Sequence, residues 1–315
     1  MPMDRNLALE FVRVTEAAAI EAAHWVGKGD PKAADKAAVD AMRERFRSIE
    51  FNAEVVIGEG AKDDAPELYV GERLGNGTGP EMDLAVDPLE ATDSVAHGRT
   101  NAISVIATGP KGSLLKAPDV YMEKLAVGPQ AKGAVKLNVP IGENIRAVAE
   151  RLHKTVEEVT VVILDRPRHI EMIKEIRNTG ARVTLITDGD VAGAIATCLP
   201  DSPIDMLMGI GGSAESVLSA VALKCLGGDM LCQFVLKNER DIALIRSCGI
   251  TDHTRVLGIE DMAKGEDLTF TATGVIDGPL LKGVRFGSEY ITTHSVVMRV
   301  MSRTIRYLET HHRID

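Results

Sequence analysis

The chain has 315 residues, 45% hydrophobic and 26% charged, with no low-complexity tract, which is the composition of a globular protein with a sizeable core. A formal net charge of -10 excludes a nucleic-acid polyanion as main partner, because such binding draws on basic patches, and no apolar run reaches membrane-spanning length. The first residues lack a signal-peptide apolar core and the four cysteines, Cys198, Cys225, Cys232 and Cys248, lack CxxC spacing, so a cytoplasmic setting with reduced thiols is expected.

In chain order, Leu7, Phe11, Val14, Ala18, Ala22 and Trp25 recur at steps of three and four, which predicts a helix over 7–26 ended by Gly27 and Gly29. Asp30 is a good N-cap and Pro31 suits a first helical position, so a second helix is expected through Val39, Met42 and Phe46. Strands are expected at 55–57, 84–86 and 103–106, with an exposed hairpin at Gly75-Asn76-Gly77-Thr78-Gly79. Beyond residue 155 the rhythm becomes strand 159–164, helix 168–178, strand 183–186, helix 191–198, strand 206–210 and helix 216–226, which predicts βαβ units. Late strands are expected at 270–273 and 295–299. The resulting reading is α/β with two domains, 1–155 and 156–315.

Asp87-Pro88-Leu89-Glu90-Ala91-Thr92 places two carboxylates directly after a strand. Hard cations such as Mg²⁺ and Mn²⁺ prefer carboxylate and carbonyl oxygen, so Asp87, the Leu89 carbonyl and Glu90 can share metal, with backbone N–H groups at Ala91 and Thr92 facing an anion and the Thr92 hydroxyl holding water. The same six residues also read as a strand-ending Asp and a proline turn. Glu59, between Gly58 and Gly60, and Glu215, after Gly209-Ile210-Gly211-Gly212, are two further acids at Gly-flanked strand ends. Alone, each reads as a tight turn or a helix-dipole partner. Arg166 and Arg168 offer guanidinium groups to a phosphate, and Asp188 and Asp190 offer acceptors to sugar hydroxyls or serve as a helix cap. All of these lie at carboxyl ends of strands, where ligands gather in open α/β sheets.

These segments, with Phe11-Val12-Arg13-Val14-Thr15-Glu16, Ala33-Ala34-Asp35 and Ala117-Pro118-Asp119-Val120-Tyr121-Met122, resemble the class II fructose-1,6-bisphosphatases, the glycerol-regulon-associated type within the lithium-sensitive phosphatase superfamily. The resemblance covers nearly the whole chain. It implies a layered α-β-α-β-α sandwich and Mn²⁺ or Mg²⁺ held at Asp35, Glu59, Asp87, Glu90 and Glu215. It also implies substrate contacts from Glu90, Ala91, Thr92, Tyr121, Arg166, Pro167, Arg168, Asp188, Gly189, Asp190 and Gly212. Thr92, Glu59 and Glu90 carry the catalytic roles. The implied reaction is hydrolysis of the 1-phosphate of fructose 1,6-bisphosphate, with sedoheptulose 1,7-bisphosphate a second substrate that sequence does not separate, in a homo-oligomer, dimer or tetramer.

Five positions depart from the family pattern: Pro31 for Lys, Ala61 for Glu, Ala91 for Gly, Ala214 for Pro and Ser216 for Gly. Lys32 does not replace the lost lysine directly, since one helical step turns it by about 100°. Ala91 keeps its N–H but strains the chain if its φ is positive, by about 1 kcal/mol or more. These departures set an active phosphatase against a catalytically weakened paralogue that binds sugar phosphate and metal in a regulatory role. A third reading, a phosphatase of inositol phosphates or another metabolite, follows from the superfamily rather than from these motifs.

Overall fold

The computed structural model describes residues 7–59 and 68–314, in two units, Met1–Leu115 with Gly265–Asp315, and Lys116–Lys264. The expected boundary at 155 therefore falls inside the second unit. The last 51 residues return instead to the first unit, a connection that local periodicity cannot reveal because strand pairing is not written in the strand's own pattern.

The first unit begins with α1 (Leu7–Ala23) and α2 (Pro31–Phe46). Asp30 caps α2 as expected, its carboxylate accepting from the Ala33 N–H at 3.0 Å. There follow β1 (Asn52–Ile57), β2 (Arg73–Leu74), β3 (Glu81–Glu90), α3 (Thr92–Ala96) and β4 (Ala102–Pro110). Gly27 and Gly29 adopt φ of +73° and +74°, and their N–H groups donate to the carbonyls of Val95 and Ala96 at 2.9 and 2.8 Å. The turn between α1 and α2 is thereby tied to α3.

The second unit runs β5 (Tyr121–Val127), α4 (Ile141–Leu152), β6 (Thr160–Leu164), α5 (Ile170–Asn178), β7 (Arg182–Ile186), α6 (Asp190–Ala196), β8 (Met206–Gly212), α7 (Ser213–Leu226), β9 (Asp229–Val235), α8 (Glu239–Ser247), β10 (Leu257–Gly258) and α9 (Ile259–Met262). Its sheet has the order β10-β9-β5-β8-β6-β7, with β8, β6 and β7 parallel and β5, β9 and β10 antiparallel to their neighbours. The βαβ expectation holds: β6-α5-β7 steps to one side of β6, and β7-α6-β8 returns to the other.

The chain re-enters the first unit as β11 (Thr269–Ile276), β12 (Arg285–Phe286), β13 (Tyr290–Arg299) and β14 (Thr304–Arg313). That sheet runs β12-β13-β11-β4-β3-β1-β2, with β14 also on β13. The glycine segment at 75–79 is not a hairpin, because β2 and β3 lie on opposite sides of β1. It crosses over β1 instead, and Gly75, Gly77 and Gly79 all have positive φ. Both units are mixed α/β, as the patterning required, and among the described residues no helix is long and apolar enough to cross a membrane.

α1 packs on β11, β13, β4 and β3. Its Phe11 meets Phe46 and Phe51 edge to face, at centroid distances of 6.3 and 5.6 Å. With Phe11 only 1% exposed, Phe11→Ala is expected to cost about 3–5 kcal/mol in chemical denaturation. A loss under about 1 kcal/mol would mean that the aromatic cluster closes over the gap.

Candidate active site

In the first unit the acids sit at the ends of two parallel strands. β1 and β3 run side by side, with Val55 opposite Leu84 and Ile57 opposite Ala85, so Glu59 and the Asp87–Glu90 segment leave the sheet at the same end. Asp87 and Glu90 are three apart and would face opposite sides of a regular strand. The pairing with β4 changes this: Asp87 lies opposite Val105 and Glu90 opposite Ile103, so three steps on β3 match two on β4. Val105 and Ile103 share a face, and opposed residues point the same way, so the bulge turns both carboxylates to one face. It also accommodates Pro88, which has no N–H for a ladder, while the Leu89 N–H donates to Asp87 Oδ1 at 3.2 Å.

Ala91 follows with φ +78° and ψ +49° and precedes α3, which begins at Thr92. The condition for strain is met: a residue with a Cβ occupies the left-handed region. α2, which carries Asp35, packs against α3 and β3. Pro31 holds the first position of that helix, and position 61 lies outside the described residues.

In the second unit the site elements converge on one sheet end. Arg166-Pro167-Arg168 follows β6, Asp188-Gly189-Asp190 follows β7, and Gly212 closes β8 with Glu215 on the first turn of α7. β7 and β8 flank β6 on opposite sides, so the chain switches direction at β6, the kind of point where a crevice opens in an open α/β sheet. Tyr121, first residue of antiparallel β5, lies opposite Gly212 and so joins the same end.

The cations here are partly committed. Arg168 donates through Nε and a terminal nitrogen to the Ile210 carbonyl at 2.9 and 2.8 Å, which leaves three of its five N–H groups for a ligand. Its guanidinium also lies over the Tyr121 ring, 4.9 Å from the centroid, and Lys237 Nζ lies over the same ring at 3.7 Å. Arg166 Nη2 stands 3.9 Å from Asp188 Oδ1. His169 is clamped between strands: Nε2 accepts from the Ile210 N–H at 2.8 Å, so the proton is on Nδ1, which donates to the Leu164 carbonyl at 2.8 Å.

Beneath this surface lies a charge that sequence reasoning missed. Lys124, in the middle of β5, is 1% exposed and donates to Asp190 Oδ2 at 2.8 Å and to the Gly212 carbonyl at 3.2 Å. Burial alone would lower its pKa, but Asp190 and then Glu215 outweigh it and the net shift is upward. Burial pushes the Glu215 carboxyl up, Asp190 adds to the push and Lys124 opposes it. Lys237 was missed as well, and its placement follows only from the pairing of β9 with β5.

Among the described residues no three His, Cys, Asp or Glu side chains converge as a ready-made metal cage. The donor set is nevertheless that of a hard cation, all carboxylate oxygen, and buried Glu215 Oε2 has no hydrogen-bond partner, an acceptor that costs about 1–3 kcal/mol until a donor or cation meets it. Asp190 Oδ1 is in the same condition. The residues present fit a divalent metal and a hydroxyl-bearing ligand.

Residues 5–312 match the family described as bacterial fructose-1,6-bisphosphatase, glpX-encoded. The chain is 46% identical over 326 aligned positions to the fructose-1,6-bisphosphatase class 2 of Haemophilus influenzae, covering 99% of this chain and 98% of that protein. It is 44% identical over the same span to fructose-1,6-bisphosphatase 1 class 2 of Escherichia coli K12, covering 99% and 97%.

Two predictions follow from the local geometry. At Ala91 a left-handed strain of about 1–2 kcal/mol is set against a buried methyl worth about 0.8 kcal/mol and a backbone-entropy gain over glycine of about 0.4–1 kcal/mol. Ala91→Gly should therefore shift the thermal midpoint by no more than about 2 °C, whereas Ala91→Val, branched at Cβ, should destabilise clearly. Burial lowers the His169 pKa from 6.5, so the unfolded chain binds the proton more readily and the stability from this clamp is complete above pH 6.5 and lost as pH falls toward the folded value. His169→Asn should thus cost about 1–3 kcal/mol at pH 7.5 in urea titrations and visibly less at pH 5.5. An equal cost at both would refute the neutral clamp.

Proposed function

The chain belongs to the family of bacterial, glpX-encoded fructose-1,6-bisphosphatases, and we propose that it hydrolyses the 1-phosphate of fructose 1,6-bisphosphate to give fructose 6-phosphate and inorganic phosphate. The observation that carries this reading is the match over nearly the full length of both relatives.

Asp35, Glu59, Asp87, Glu90 and Glu215 would hold Mn²⁺ or Mg²⁺, which when bound neutralises phosphoryl charge and lowers the pKa of water. The Thr92 hydroxyl orients the water that attacks phosphorus, and the carboxylates of Glu59 and Glu90 take up the proton it loses. A bond from water oxygen to phosphorus forms, the bond from phosphorus to the sugar O1 breaks, and O1 ends protonated. Backbone N–H groups at Ala91 and Thr92 face the phosphate oxygens.

The second unit supplies the remote contacts. Arg166, Pro167 and Arg168, with Tyr121 and Lys237, hold the phosphate that is not cleaved, and Asp188, Gly189, Asp190 and Gly212 meet the sugar hydroxyls. Binding energy taken up there orients the reacting end, which raises turnover as well as affinity. The two arms of Asp188 and Asp190 are splayed by Gly189, whose φ of +82° begins α6. Sedoheptulose 1,7-bisphosphate, which shares the phosphorylated ketose, is a second substrate of this site, and the protein works as a cytoplasmic homo-oligomer, dimer or tetramer.

Purified protein supplied with Mn²⁺ or Mg²⁺ is expected to release phosphate from fructose 1,6-bisphosphate, and Glu90→Gln to lower kcat by at least about 100-fold without loss of thermal stability. Phosphate release no faster than that variant, with both metals tried, would instead make the chain a binding paralogue.

A further inference from the structure

Lys124 occupies the fourth of seven positions in β5, on the buried side with Met122 and Ala126. An ammonium rarely goes there. A buried ion pair is no more stabilising than well-packed apolar side chains of the same volume, so packing gives no reason for a lysine at this position. What the lysine touches does. It donates to Asp190 Oδ2 at 2.8 Å and to the Gly212 carbonyl at 3.2 Å, and Ser216 Oγ donates to that same carbonyl at 2.9 Å.

The surrounding chain is shaped around this contact. A Cβ at Gly211 would collide with the Asp190 carboxylate and the Lys124 ammonium, and one at Gly212 would collide with the Glu215 carboxylate. Neither glycine has a positive φ, so what a side chain at either would disturb is the placing of these charged groups rather than the backbone. The result is a lysine that takes one oxygen of Asp190 and leaves the other, Oδ1, buried without a hydrogen-bond partner, as Glu215 Oε2 also is. A buried acceptor left unmet at the sheet end that gathers the proposed sugar contacts is a place for a ligand's donor.

We infer that Lys124 is a positioning residue for the phosphatase: it pins Asp190 by one oxygen so that the other is presented to a sugar hydroxyl, and by neutralising Asp190 it leaves Glu215 as the carboxylate free to meet a metal. This rests on the function proposed above. It assigns opposite consequences to one substitution. Removing the ammonium releases Asp190 and weakens the sugar-phosphate contact, yet it also removes a positive charge from beside Glu215, so at a pH alkaline enough to keep Glu215 ionised the attraction for a cation does not weaken. A lysine that only held the fold together would weaken both.

The test compares wild type, Lys124→Met, Asp190→Asn and the double variant, with fructose 6-phosphate and Mn²⁺ affinities from calorimetry, where no turnover is needed, and with thermal midpoints. Lys124→Met is expected to bind fructose 6-phosphate at least about tenfold more weakly, the loss of one charge-assisted hydrogen bond, with Mn²⁺ affinity, measured at a pH alkaline enough to keep Glu215 ionised, unchanged or tighter. The double variant, which removes both charges of the Lys124–Asp190 pair, is expected to bind the sugar phosphate as Asp190→Asn does. If Lys124→Met does not fold, the comparison of the double variant with Asp190→Asn decides alone: equal affinity supports the role and a further loss overturns it. The role is also overturned by a folded Lys124→Met with wild-type affinity for fructose 6-phosphate, or by one in which both affinities fall together with the thermal midpoint. Phosphate release by the wild type, measured beside these, judges the proposed function separately, and a wild type that binds no fructose 6-phosphate removes both.

Discussion

Burying a carboxylate costs several kcal/mol unless donors or a cation meet it, and four buried acids of this chain answer that cost in two ways. Asp83, raised in pKa by burial, receives the Leu114 N–H at 3.0 Å and fixes the turn after β4. Asp205 is met by Lys154 at 2.5 Å and by the Thr160 N–H at 2.9 Å, which joins the approach to β8 to the start of β6. Both pair their oxygens within the protein. Asp190 and Glu215 share the company of one lysine and each retain an oxygen without a partner. Asp190 and Glu215 thus differ from Asp83 and Asp205 in keeping acceptors that a ligand at this sheet end can complete.

Backbone irregularities do the aiming. The bulge between Asp87 and Glu90 turns two carboxylates to one face, a result that a regular strand forbids for residues three apart. In the other unit, glycines at 211 and 212 bring the main chain against the Asp190 and Glu215 carboxylates. The His169 clamp and the Arg168 fork both close on Ile210, so the loop after β6 is fixed to the strand beside it by three polar contacts with the Ile210 backbone and to β6 itself by a fourth, from His169 to the Leu164 carbonyl. Loops that would otherwise be the mobile part of a sheet end are thereby held at the geometry that binding requires.

Local signals carried the parts of this fold that are local. The Asp30-Pro31 helix start, the βαβ rhythm after 155 and the acids at strand ends all depend on residues within a turn or two of each other, and all are present. Pairing was illegible: nothing in residues 304–313 says that they join β13, and nothing in 75–79 distinguishes a hairpin from a crossover, since both need exposed glycine. Lys124 was illegible for the same reason. A lysine inside Tyr121-Met122-Glu123-Lys124-Leu125-Ala126-Val127 reads as the polar side of an alternating strand, and its partners stand 66 and 88 positions away. The site residues came mostly through the resemblance, and the strain at Ala91 could be stated only as a condition until its φ was known.

The departures at 31, 91 and 216 follow one rule, that each new side chain satisfies a need of the backbone on which it sits. Pro31 takes the first position of a helix, where its missing N–H would have had no partner in any case. Ala91 carries left-handed strain, but its methyl is buried among the apolar residues of the first unit, and the two effects are of similar size. Ser216 replaces what would be bare backbone with a hydroxyl that donates to the Gly212 carbonyl. That carbonyl also receives Lys124, so the serine holds the same peptide that the buried lysine holds, and the change reinforces the turn from β8 into α7. A chain eroding toward a passive binder has no reason to compensate at these three positions in this way, and the compensation favours a site still under the geometric demands of catalysis.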